Sequence, residues 1–217
     1  MKLAGFGDSI TAGQYLKPGE SFLELLGERF GLETIQAGVP GNTTTQGLAR
    51  MEQDVLAFQP DLCIVEFGMN DHVAESENNA KTPLPQFKQN LERICSSLKQ
   101  AGIRPVLCTI NPIIEGDAEA YYYARHPRDW YKEPDGAAAW IDLYSEAIRE
   151  IAGRNRIPLA DIALDWKTSL AQGRKLNELL RSQEFDGIDD GVHPSPTGQA
   201  LYARCIADAM IRAGYLE

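Results

Sequence analysis

Serine, histidine and aspartate together can open an acyl bond, and this sequence places them suggestively. Ser9 follows Gly7-Asp8 near one end, and Asp190 and His193 stand three residues apart near the other. A serine hydroxyl is a poor nucleophile at neutral pH and needs a base within hydrogen-bond reach, itself held in the right tautomer by a third group. On one short loop Asp190 can accept from Nδ1–H of His193, which leaves Nε2 free to take the Ser9 proton. The tetrahedral intermediate then needs donors aimed at its oxyanion. Three are available: the backbone N–H of Ser9, the backbone N–H of Gly41 and the side-chain amide of Asn70. A missing Cβ at Gly41 lets the main chain approach a substrate closely.

The elements that must position these residues alternate between short apolar runs and amphipathic stretches, the pattern of βα units and a parallel sheet. Candidate strands are Lys2–Phe6, Thr34–Ala37, Leu62–Phe67, Pro105–Ile110 and Ile157–Ala160. Apolar residues spaced three and four apart predict helices through Phe22–Phe30, Leu48–Phe58, Phe87–Leu98, Trp140–Ile151 and Leu201–Ala209, the last opened by Ser195 as N-cap and Pro196. Five strands alternating with helices predict an α/β fold, a three-layer α/β/α sandwich. Ligands bind outside the carboxyl ends of the strands in such sheets. Gly7-Asp8-Ser9, Gly41-Asn42 and Gly68-Met69-Asn70-Asp71 each follow a strand, so they converge on that edge, and the loop 189–194 can return to it.

Taken singly, each residue has an ordinary explanation. Ser9 could cap a helix after the first strand, Asn70 and Asp71 could form a turn, and His193 could be a solvated loop residue. Asp8 shapes the first turn, Glu66 is hydrogen-bonded structure, and His72 takes a structural or rim position. The joint arrangement is what the single readings fail to explain.

In order along the chain, Gly7-Asp8-Ser9-Ile10, Gly41, Gly68-Met69-Asn70-Asp71 and Asp190-Gly191-Val192-His193 resemble the four motif blocks of the SGNH hydrolases, also called GDSL lipases and esterases. In that resemblance Ser9 matches the nucleophile, Gly41 and Asn70 the oxyanion-hole positions, and His193 and Asp190 the base and its partner. It implies a flavodoxin-like five-stranded sheet of order 2-1-3-4-5. It also implies hydrolysis of carboxylic ester or thioester bonds with no cofactor or metal. The lack of an apparent leader favours a small-molecule ester, and the expected acyl group is short, such as acetyl. The same site could serve an acyltransferase, a thioesterase or a lysophospholipase. A non-catalytic nucleotide- or flavin-binding module is the reading from another class. Against it, Gly5-Phe6-Gly7 lacks the third glycine of a dinucleotide fingerprint, and no P-loop Gly-Lys-Ser/Thr is present.

The least regular stretch, 111–136, carries Tyr121, Tyr122, Tyr123, Trp130 and Tyr131. It follows the fourth strand and is expected to overhang the site as a lid, with Tyr122, Trp130 and Tyr131 touching substrate. A dimer contact or a short packed helix is the competing reading. The stretch 165–185 is expected to be a helical excursion walling the opposite side.

Composition sets the remaining bounds. The chain of 217 residues, 43% hydrophobic and 24% charged, fits one globular domain over 1–217. Its 31 acidic and 21 basic residues give a net charge of −10, and no basic run stands out, which argues against nucleic acid as a partner. No apolar stretch approaches a membrane span, and Met1–Phe6 is too short for a signal-peptide core, so the expected location is cytoplasmic. Cys63, Cys95, Cys108 and Cys205 lack metal-site spacing and read as reduced core thiols, and with three histidines a zinc site is not expected. Nothing in the sequence signals an oligomeric state.

Overall fold

A computed structural model describes residues 1–115 and 126–217. The sheet strands are β1 (Lys2–Gly7), β2 (Glu33–Gly38), β3 (Leu62–Glu66), β6 (Arg104–Cys108) and β7 (Leu159–Ala160), and a small hairpin of β4 (Ala74–Ser76) and β5 (Asn79–Ala80) intervenes. The sheet runs β2-β1-β3-β6-β7 with every pairing parallel. Counting its own strands alone, this is the expected order 2-1-3-4-5.

The central strands read as unbroken apolar runs because helices cover both of their faces. Leu3, Ala4 and Phe6 of β1 and Leu62, Cys63, Ile64 and Val65 of β3 are buried, and Leu3 pairs in register with Leu62. At the sheet edge, β2 leaves Glu33, Thr34 and Gln36 exposed. The described helices are α1 (Phe22–Phe30), α2 (Thr44–Asp54), α3 (Leu84–Gln100), α4 (Ala137–Asn155), α5 (Ile162–Ala171), α6 (Leu176–Leu179), α7 (Gln183–Asp186) and α8 (Pro196–Arg212). One layer gathers α1, α5 and α6 against α8, and the other packs α2 on α3 and α3 on α4. The expected excursion over 165–185 is thus the end of α5 followed by two short helices.

Local signals account for several helix starts. Ser195 caps α8, accepting from Gly198 N at 3.2 Å, with Pro196 in the first turn. Ser21 opens α1 with Glu24 in a reciprocal capping box. Ser9, by contrast, caps no helix: the chain after β1 coils through turns closed by Ala12 N–H on Asp8 O and Gln14 N–H on Ser9 O, both at 3.0 Å. Those turns need Gly7, where a Cβ would stand 2.2 Å from Thr11 Oγ1 and 2.3 Å from Glu66 O.

The four thiols are free and buried. Burial pushes those of Cys95 and Cys205 up to about 12, as inert core cysteines require. No helix among the described residues is long and apolar enough to cross a membrane.

Candidate active site

Ser9, Asp190 and His193 come together outside the carboxyl ends of the strands. His193 Nε2 lies 2.8 Å from Ser9 Oγ, and His193 Nδ1 lies 2.7 Å from Asp190 Oδ2. All three residues are buried. The other Asp190 oxygen accepts from the backbone N–H groups of Val192 and His193, at 2.8 and 2.7 Å, so the aspartate shapes the turn and orients the imidazole together. Burial pushes the Asp190 carboxyl up, but the hydrogen bonds from His193 and from these N–H groups outweigh it and hold the carboxyl below its ordinary range. It stays ionised facing the imidazole.

Neighbouring chain segments fix this loop. Arg181 N–H donates to His193 O and Gly191 N–H to Arg181 O, each at 2.8 Å, while Ile114 N–H donates to Gly191 O at 2.9 Å. Asn111 Nδ2 donates to Val192 O at 3.2 Å, and Tyr202 Oη donates to Asn111 Oδ1 at 2.6 Å. The first residues of the 111–136 stretch therefore brace the histidine loop from below.

Asn70 joins the other two loops. Its Nδ2 donates to Asp8 Oδ2 at 3.0 Å, beside Ser9, and to Asn42 O at 3.1 Å, beside Gly41. Gly41 has φ +79°, a left-handed conformation that glycine adopts without strain, and its missing Cβ faces open space. The N–H groups of Ser9 and Gly41 donate to no protein acceptor among the described residues. Both are open to an incoming oxygen.

Beneath the serine lies a buried acidic pair. Burial, reinforced by Glu66, pushes Asp8 well above the usual carboxylate range, and burial likewise raises Glu66. Glu66 Oε2 accepts from Thr11 Oγ1 at 2.8 Å, whereas Oε1 is buried without an ordinary donor. Asp71 is also buried. Its carboxylate accepts from Thr44 N at 3.0 Å and Thr44 Oγ1 at 2.6 Å, tying the start of α2 to the Asn70 loop, and burial raises it to about 6 despite those bonds.

Two residues that sequence patterns did not single out shape the site. The Arg50 guanidinium donates to Gly7 O, Ala37 O and Asn42 Oδ1 at 2.8, 2.7 and 2.7 Å, pinning the ends of β1 and β2 to the Gly41 loop. Its position inside α2 resembles any exposed helical arginine, so no local signal marks it. Tyr15 meets the His193 ring at 5.3 Å between centroids and 87° between planes.

The aromatic expectations for 111–136 fare differently. Tyr122 lies outside the described residues. Trp130 sits beside the β4–β5 hairpin, its carbonyl accepting from Asn78 N at 2.8 Å. Tyr131 is a correction: it is fully buried, its hydroxyl accepting from Ala74 N at 2.9 Å with His126 Nδ1 equally close, and its ring packs edge-on against Trp140. Its large ring stabilises the core, and its hydroxyl satisfies the hairpin backbone. His72 is fully buried, its ring stacked on His126 at 5.5 Å, and is structural rather than a rim residue. No metal-holding cluster occurs among the described residues.

A serine, histidine and aspartate in hydrogen-bonded sequence, with N–H groups that have no protein acceptor among the described residues beside them on a 2-1-3-4-5 parallel sheet, invite comparison with known hydrolases. The chain is 30% identical over 222 residues to the uncharacterized lipoprotein YqeF of Bacillus subtilis, covering 96% of this chain and 89% of that one. It is 25% identical over 222 residues to an acetylxylan esterase of Geobacillus stearothermophilus, covering 94% and 90%. Among solved structures, an acetyl xylan esterase superposes with a TM-score of 0.73 at 25% identity, covering 96% of this chain and 99% of its own. The family model for GDSL-like lipases and acylhydrolases matches residues 6–201. With that match spanning nearly the whole fold, the chain belongs to the GDSL-like lipase/acylhydrolase family and is a carboxylic ester hydrolase.

Proposed function

We propose that the protein hydrolyses small-molecule esters of short acyl groups, acetyl foremost, through a Ser9-His193-Asp190 triad and an acyl-enzyme. The observation that carries the triad is the unbroken chain from Ser9 Oγ to His193 Nε2 at 2.8 Å and from His193 Nδ1 to Asp190 Oδ2 at 2.7 Å. The acetyl preference is supported by the acetylxylan esterase relatives.

In the first half-reaction Ser9 Oγ attacks the ester carbonyl carbon as its proton passes to His193 Nε2. Asp190 stabilises the imidazolium and keeps Nδ1 protonated. The carbonyl oxygen becomes an oxyanion received by the N–H of Ser9, the N–H of Gly41 and the Asn70 amide. Collapse breaks the bond to the alcohol oxygen, which takes the proton from Nε2 and departs. In the second half a water gives its proton to His193 Nε2 and attacks the acyl carbon. Collapse then frees the acid and returns the proton to Ser9 Oγ.

The test pairs covalent labelling with turnover. A fluorophosphonate is expected to label wild type on Ser9 and to leave Ser9→Ala unlabelled, and the variant should lose nearly all hydrolysis of acetate esters while keeping its thermal midpoint. Wild-type turnover in purified Ser9→Ala would overturn the assignment.

A further inference from the structure

Tyr15 combines three features that do not usually occur together. Its backbone has φ +67°, a conformation that side chains with a Cβ avoid. Its side chain leaves the residue 53% exposed, the third most open of the large apolar residues among those described. Yet the backbone that carries the ring is held in place. The Arg181 guanidinium, ion-paired to Asp186 at 2.8 Å, donates to Tyr15 O, and the adjoining turn closes through Leu16 N–H on Gly13 O at 3.1 Å. Strain kept at an exposed aromatic residue beside a reactive centre indicates a use for its position.

The geometry points to that use. Accepting the triad reading above, His193 Nε2 must deliver its proton to the departing alcohol oxygen at about 3 Å. The carbon bonded to that oxygen then lies beside the imidazole, and among the described residues the exposed ring bordering the imidazole is Tyr15. The acyl half points elsewhere, because its carbonyl oxygen is committed to the open N–H groups of Ser9 and Gly41 and to Asn70. We propose that Tyr15 is the contact surface for the alcohol half of the ester, and that it favours alcohols built on a ring, an aryl group or the C–H face of a pyranose, over open-chain alkyl alcohols. Such rings stack on a tyrosine face or meet its edge, whereas a short alkyl chain covers little of it.

The experiment varies the two halves of the ester separately. Tyr15→Ala and Tyr15→Phe are compared with wild type on acetates of a common acyl group (ethyl acetate, phenyl acetate and an O-acetylated xyloside) and on phenyl esters from acetate to butyrate. The readout is kcat/KM, which reports the acylation step in which the alcohol leaves. The ratio of phenyl acetate or acetyl-xyloside to ethyl acetate is expected to fall about tenfold in Tyr15→Ala and to be kept in Tyr15→Phe, with acyl-length preference unaltered. An equal loss on every acetate would overturn the proposal in favour of a role in positioning His193. A change confined to acyl length would overturn it in favour of an acyl wall, and an unchanged ratio would overturn it outright. Fluorophosphonate labelling of Ser9 in the same samples reports on the triad independently, so failure of the ratio and failure of the serine assignment are read separately.

Discussion

Asn70→Ala removes one amide from the heart of the site, and its consequences can be worked from the hydrogen bonds it makes. Both N–H groups of Asn70 Nδ2 are occupied in the free protein, one on Asp8 Oδ2 at 3.0 Å and the other on Asn42 O at 3.1 Å. When the ester carbonyl becomes an oxyanion beside Gly41, a charged acceptor competes with the neutral Asn42 carbonyl for the second N–H. A hydrogen bond to a charged group is roughly twice as strong as a neutral one, so the oxyanion wins in the transition state and not before. Loss of such a donor lowers kcat by about 10²–10³, equivalent to about 3–4 kcal/mol, while KM hardly moves. Stability suffers less. The Asn42 carbonyl can be rehydrated because Asn42 is half-buried, but Asp8 is fully buried and loses a partner, at about 1–3 kcal/mol. That is small against the ~5–15 kcal/mol typical of a folded domain, so the variant should remain folded. Steady-state hydrolysis of an acetate ester and a thermal melt on the same preparation separate the two effects. A kcat within tenfold of wild type in folded protein would refute the oxyanion role. A raised KM with a nearly normal kcat would instead identify Asn70 as a brace between the Asp8 and Asn42 loops.

Two further outcomes follow from the buried acids. Asp190→Asn keeps an oxygen to accept from Val192 and His193 N–H but removes the charge facing the imidazole, so kcat should fall about 10³–10⁴ with the fold intact, and a loss under tenfold would refute the triad. Asp71 is raised from 3.8 to about 6 by burial, so the native chain holds its proton more tightly than the unfolded chain. Stability from this group is therefore fully present below pH 3.8 and is lost as pH rises to about 6, a change of about 3 kcal/mol. In Asp71→Asn the amide oxygen still accepts from Thr44, and denaturant titrations at pH 4.5 and 7.5 should show a smaller stability loss across that interval than in wild type; an identical loss would refute the burial argument.

How much of this protein is legible in its sequence depends on the range of the interaction that decides each feature. The five strands and the principal helices could be read because burial on both faces of a parallel strand demands an apolar run, and a helix packed on one side demands apolar residues three and four apart. Strand ends shifted by up to two residues, as at Ile157, where the pattern starts earlier than the pairing of Leu159 with Leu107. The hairpin at Ala74–Ala80 carries no β-branched or aromatic residue in its strands and gave no local sign. The Ser9, Gly41 and Asn70 motifs were legible because each follows a strand, and parallel strands put such segments on one edge, whereas the Asp190–His193 block follows the short helix α7 and returns to that edge through its own loop.

Tertiary structure alone decided the rest. It brought Ser9 Oγ to 2.8 Å from an imidazole 184 residues away, a closeness that chain spacing permits but does not impose. It also turned Tyr131 from an expected substrate-facing aromatic into core, since only the packing of Trp140 and the hydrogen bond from Ala74 N–H determine where the ring and its hydroxyl go. Arg50 and Tyr15 gained their positions in the same way, through contacts with loops distant in the chain. Residue type and periodicity report which groups must be buried and which chemistry is available, because those depend on the residue and its near neighbours. Which polar atom finds which partner depends on distances that exist only once the sheet and its helices have packed.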